Sequence, residues 1–149
     1  MLPACLLPTA AAEPQDSRAI LMHCRGGARA ADRRAADTLN RLGVPAIALA
    51  YRNDAEVRTG RSRYALGDAE WMDVDAAIDD ALSRGAGRIV LFGWSMGGAI
   101  ALQAASRGRP VDRILGMGPA APAVHCSAGL DTPRTAERRA GDACQIRWH

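Results

Sequence analysis

The chain has 149 residues, 48% of them apolar. That suits one globular domain with a real core, but it is short of the roughly 200–250 residues usual for large α/β domains. Its net charge of +3 comes from 19 basic residues, all arginine, set against 16 acids. The two signs are interleaved, which is the pattern of a solvated surface and argues against nucleic-acid binding. No apolar run is long enough to span a bilayer, so no membrane partner is expected.

Met1 to Pro14 begins apolar and contains Ala10-Ala11-Ala12. It lacks the basic start of a signal peptide, and Pro3 and Pro8 interrupt it. Leu2-Pro3-Ala4-Cys5 lies too near the start to act as a lipobox. The expected location is the cytoplasm. Cys5, Cys24, Cys126 and Cys144 form no C-x-x-C pair, and the three histidines are widely spread. Neither a zinc site nor a disulfide framework is expected. No metal or other cofactor is called for.

In chain order, Leu2 to Pro8 can form a short edge strand, and residues 18–23 read as a buried strand closed by Gly26-Gly27. From Ala28 to Leu42 the period becomes helical, with Ala31, Ala35, Leu39 and Leu42 on one face and Gly43 as the stop. Val44 to Tyr51 is the next strand. Residues 52–67 are polar and turn-rich and carry Arg52, Arg58, Arg61 and Arg63. They form either a solvated connection or a loop that binds an acidic group on a substrate. Asp68 to Arg84 is the clearest helix, with Asp68 as N-cap, acids in the first turns and Trp71, Val74, Ile78, Ala81 and Leu82 as its buried stripe.

The most informative stretch runs from Arg88 to Leu102. An apolar run of strand length meets Gly93-Trp94-Ser95-Met96-Gly97, and a helix-favouring run follows to Arg107. A serine at so tight a turn needs flanking residues without side chains if its hydroxyl is to stand clear. The turn also sets Ser95 at a helix N-terminus, where free N–H groups favour developing negative charge. The alternative is a serine N-cap in an ordinary parallel α/β sheet. Asp112 to Met117 reads as one more strand. Strands alternating with helices imply a parallel sheet covered on both faces.

This stretch resembles the nucleophile elbow of the α/β-hydrolase family. Ile20 to Gly27, with His23-Cys24-Arg25-Gly26-Gly27, is similar to that family's strand and His-Gly-x-Gly-Gly oxyanion loop. Tyr51-Arg52-Asn53-Asp54 resembles the end of the next strand, and Tyr64 to Trp71 the entry to the helix before the elbow. The resemblance, closest to bacterial serine hydrolases, covers roughly residues 2 to 120. It implies Ser95 as nucleophile, the N–H groups of Met96 and Arg25 as oxyanion donors, and a structural role for His23. Cys24 stands where the family pattern has glycine, and at a positive φ it would be strained.

The family's order is serine, then acid, then histidine. Beyond Ser95 the acids are Asp112, Asp131, Glu137 and Asp142, and the histidines are His125 and His149. Asp112 precedes a strand rather than following one. Asp131 and His149 have the right order but follow no recognisable strand. The expected architecture is therefore a partial α/β-hydrolase domain over residues 1–118. An irregular tail, disordered or out of frame, follows over residues 119–149. The expected function is serine hydrolysis of an ester, less readily an amide or peptide, by a truncated chain. The alternative is an inactive remnant or interaction module lacking the triad acid and histidine. The strand at Ile114 would expose an apolar edge, so self-association is also expected.

Overall fold

A computed structural model of the chain describes residues 3–27, 29–54, 57, 64–108, 111–120 and 146–147. Its strands are β1 (Pro3–Leu7), β2 (Ser17–Met22), β3 (Ala46–Leu49), β4 (Arg88–Trp94), β5 (Ile114–Ala120) and β6 (Ile146–Arg147). Its α-helices are α1 (Arg33–Arg41), α2 (Trp71–Ser83) and α3 (Met96–Arg107). One sheet holds the strands in the order β5-β4-β2-β3-β1-β6. The four strands from β5 to β3 run parallel, and β1 runs against β3 and β6.

The burial pattern explains the layers. Ile20, Met22, Ile47, Leu49, Ile89 and Leu91 face one side, where Val74 and Ile78 of α2 and Ile100 of α3 cover them. Ala19, Leu21, Ala46 and Ala48 face the other side, under Ala36 and Leu39 of α1. Strands buried on both faces read as continuous apolar runs, which is why they were legible. Burying the larger side chains contributes about 1.5–3 kcal/mol each.

Several boundaries differ from the sequence reading. The first helix opens with a 3-10 turn, Arg29–Asp32, before α1 begins. The second helix starts at Trp71 rather than Asp68, with Glu70 at the cap position, while Asp68 pairs with Arg107 of α3. Trp71 packs partly buried against the core, as its stripe implied. A 3-10 turn, Val111–Arg113, precedes β5, which runs Ile114–Ala120 rather than the expected Asp112 to Met117. Residues 146–147 pair with β1, so the tail contributes a strand; residues 121–145, 148 and 149 lie outside the described residues. Cys5 is disulfide-bonded, contrary to the expectation from cysteine spacing. Cysteine spacing alone does not fix which cysteines pair. No described helix is long and apolar enough to cross a membrane.

Among the described residues β5 is the outer strand on its side of the sheet, with Leu115 and Met117 exposed. If the chain associates through this edge, placing lysine at both positions will lower the mass seen by light scattering at fixed protein concentration. An unchanged mass distribution would count against the edge.

Candidate active site

The site is assembled where β2 and β4 end side by side. Met22 pairs with Gly93 in parallel register, so the residues that follow each strand emerge at the same end of the sheet. After β4 the chain reverses at Ser95, with φ 52° and ψ −111°, and enters α3 at Met96. A non-glycine residue there costs on the order of 1–3 kcal/mol.

Two glycines make the reversal possible. A methyl at Gly93 would overlap the carbonyl of Gly97, and one at Gly97 would overlap the carbonyl of Met22. The same methyl at Gly97 would fall 2.8 Å from the carbonyl oxygen of His23. The first turn of α3 is thus seated on the end of β2 and on the loop that follows it. Gly98 and Ala99 donate to the Ser95 carbonyl. Met96, as first residue of the helix, has an N–H with no intrahelical acceptor. Ser95 itself is partly exposed, and Trp94 beside it is exposed and meets Phe92 edge-on, with ring centroids 6.3 Å apart.

The second wall is the loop His23–Gly27. Cys24 is a free thiol and is not at positive φ; Gly26 takes that conformation instead, at φ 68°. The strain anticipated for cysteine is therefore absent. His23 is buried, with Nε2 2.9 Å from Oδ2 of Asp54 and both side chains out of solvent. This is an ion pair whose direction falls short of an ideal hydrogen bond. Nδ1 donates to the Cys24 carbonyl at 2.9 Å. The Tyr51 hydroxyl donates to the His23 carbonyl at 2.8 Å, and its ring stacks on the imidazole at 4.8 Å.

Burial alone would pull the His23 imidazole down. The contact with Asp54, its charge and the Cys24 carbonyl outweigh burial and raise it above the ordinary histidine value. Burial pushes the Asp32 carboxyl up to about 6, with the nearby His23 opposing the rise. Burial, then the charge of Asp54, also holds the Tyr51 phenol up, so it stays a donor.

The segment after β3 is anchored to α2. Arg52 donates to both oxygens of Asp73, at 3.0 Å from Nε to each and at 2.7 Å from Nη2 to Oδ1. The Asp73 contacts hold its guanidinium above the usual arginine value. Arg52 is thus committed to Asp73; Arg58, Arg61 and Arg63 lie outside the described residues. Buried Glu70 accepts from the N–H groups of Ala65 and Gly67 and from the Asn53 amide. The sequence reading missed Asp32, Asp54 and Glu70 as site-building acids. The one signal for Asp54 was its place just past a buried strand, at the end of the sheet that carries Ser95.

Asp112 precedes β5, at the far end of the strands from Ser95, as its position implied. His125, Asp131, Glu137, Asp142 and His149 lie outside the described residues. No group of acids, histidines and cysteines able to hold a metal occurs among the described residues.

The chain has the α/β-hydrolase fold. It matches a lidless α/β serine hydrolase of Xanthomonas campestris at 25% identity and TM-score 0.60, over 70% of this chain and 50% of that one. It matches a soluble variant of the monoglyceride lipase of Saccharomyces cerevisiae, solved with a substrate analogue, at 22% identity and TM-score 0.69. That match covers 80% of this chain and 40% of the lipase. A monoacylglycerol lipase of Paleococcus ferrophilus matches at 21% identity and TM-score 0.64, over 89% and 47%. The chain therefore spans half or less of the length of these three proteins. No family model and no curated protein matches the sequence.

Ser95→Gly will be more stable than Ser95→Ala by about 1–2 kcal/mol in urea unfolding, because only glycine accepts the positive φ freely. Equal stabilities would show that residue 95 is unstrained. The pH dependence has a definite sign. Asp32 binds its proton more tightly folded than unfolded, so stability falls as pH rises from its ordinary value near 4 through about 6. His23 is also raised, so its contribution is whole below its ordinary value and is lost as pH rises through its folded value. The urea midpoint will therefore be lower at pH 8 than at pH 5, and Asp32→Asn will flatten the part of the fall between pH 4 and 6.

Proposed function

We propose that this chain is an α/β-hydrolase-type serine hydrolase that acts on an ester bond, an amide or peptide being the less suited substrate. The observation that carries the reading is the conformation of Ser95, strained at φ 52° between β4 and α3. Ser95 attacks the carbonyl carbon, and its hydroxyl proton passes to a base. The N–H groups of Met96 and Arg25 stabilise the oxyanion that forms. The similar proteins include monoglyceride and monoacylglycerol lipases, which supports a small ester as the substrate class. No cofactor is invoked.

One observation favours the second reading, an inactive remnant or interaction module. His23 is the one histidine among the described residues, and both its nitrogens are engaged, with Cys24 and Asp54. It is not free to serve Ser95 as base. Asp131 and His149, which have the required order, lie outside the described residues. Without a base, only the catalysis of the oxyanion hole and binding would persist.

A fluorophosphonate probe separates the two readings. Wild-type protein will label, and Ser95→Ala will not. No labelling of folded wild type, or equal labelling of Ser95→Ala, would refute an activated Ser95.

A further inference from the structure

Resting on the reading of Arg25 as an oxyanion donor, we propose that Asp54 is the positioning residue that aims the Arg25 N–H toward Ser95. It does so by gripping the loop Cys24–Gly27 at both ends.

The first grip runs through His23. Asp54 Oδ2 holds Nε2 at 2.9 Å, and Nδ1 on the other side of the same ring donates to the Cys24 carbonyl at 2.9 Å. The Gly27 N–H donates to that carbonyl as well, at 2.9 Å. The consequence for Arg25 is geometric. The Cys24 carbonyl and the Arg25 N–H are the two ends of one planar peptide unit, and no peptide among the described residues is cis. In a trans unit they point in opposite directions. Two donors that pin the carbonyl on one side therefore turn the Arg25 N–H to the opposite side.

The second grip runs through Tyr64. Its hydroxyl donates to Asp54 Oδ1 at 3.4 Å and accepts from the Gly26 N–H at 3.3 Å. The Arg25 guanidinium lies over the Tyr64 ring, 5.8 Å from its centroid, which ties the side chain to the same residue. Cys24 before Arg25 and Gly26 after it are thus both linked to one buried carboxylate. The two links use different oxygens of that carboxylate, Oδ2 toward His23 and Oδ1 toward Tyr64.

Asp54 is fixed in turn. Its own N–H donates to the Tyr51 carbonyl, and the Tyr51 hydroxyl donates to the His23 carbonyl, which closes the ring of contacts. The carboxylate is buried, so its charge acts across a low-dielectric gap rather than through water. Buried donors and acceptors held this way are costly to misplace, which is what a preorganised oxyanion site requires.

The test compares Asp54→Asn, Tyr64→Phe and the double variant with wild type by two measurements. The first is the rate of Ser95 phosphonylation by a fluorophosphonate. Asp54→Asn will slow it about 10- to 100-fold, in the range of a lost oxyanion donor. Tyr64→Phe will slow it less, and the double variant will be no slower than Asp54→Asn, because both links end on the same carboxylate. The second is amide hydrogen exchange by NMR, which needs no activity. Gly26 and Gly27 will exchange faster in Asp54→Asn, and Gly26 in Tyr64→Phe, while core amides such as Ile20 and Leu91 keep their wild-type rates. If Asp54→Asn does not fold, Tyr64→Phe, which removes a single oxygen, carries both measurements. Wild-type rates of exchange at Gly26 and Gly27 in the variants would overturn the proposal. Wild type that shows the expected exchange pattern but never labels would overturn the hydrolase reading and leave the positioning of the loop standing.

Discussion

The first turn of α3 lies against the carbonyls at the end of β2, with no space between them for a side chain. Gly97 makes this contact, and Gly93 makes the companion contact that lets β4 turn back into α3. The rest of the site follows from these two positions. They put the strained Ser95 and the start of the Met96 helix beside the loop that begins at His23. A larger residue at either position would have to push backbone from backbone, and close-packed interiors resist that.

The loop beyond β2 is held by charge. A buried carboxylate and a buried imidazole are each costly to bring out of water, and the pair is tolerable because the two groups lie 2.9 Å apart. Their further partners, the Cys24 carbonyl and the Tyr64 hydroxyl, are parts of the loop or reach it. Removing one member would leave the other buried without its partner. On the adjoining side, Glu70 and Asp73 do similar work for the chain after β3, accepting from backbone N–H groups and from Asn53 and Arg52. The polar loop thus ends in fixed carboxylates at the entry to α2.

What the sequence disclosed and what it hid divide along physical lines. The strands at Ala19–Met22, Ala46–Leu49 and Ile89–Leu91 were legible because burial on both faces demands unbroken apolar residues. The reversal at Ser95 was legible because only glycine fits on either side of it. Asp54 was hidden because its partner His23 comes from a distant part of the chain and Tyr64 from across the intervening loop, and no local period marks such meetings. The start of α2 was misplaced as well, at Asp68 rather than Trp71. Asp68 looks like a cap locally, but its carboxylate pairs with Arg107, 39 residues away. The strand at Ile146 is likewise a long-range pairing, made with β1.

The central claim is that Ser95 is a nucleophile aimed at an acyl carbon. Incubation with a short-chain p-nitrophenyl ester, followed by quenching and peptide mass spectrometry, tests it directly. An acyl group is expected on the peptide that carries Ser95, and none in Ser95→Ala. An acyl group on another residue, such as Cys24, or none on folded protein, would contradict it.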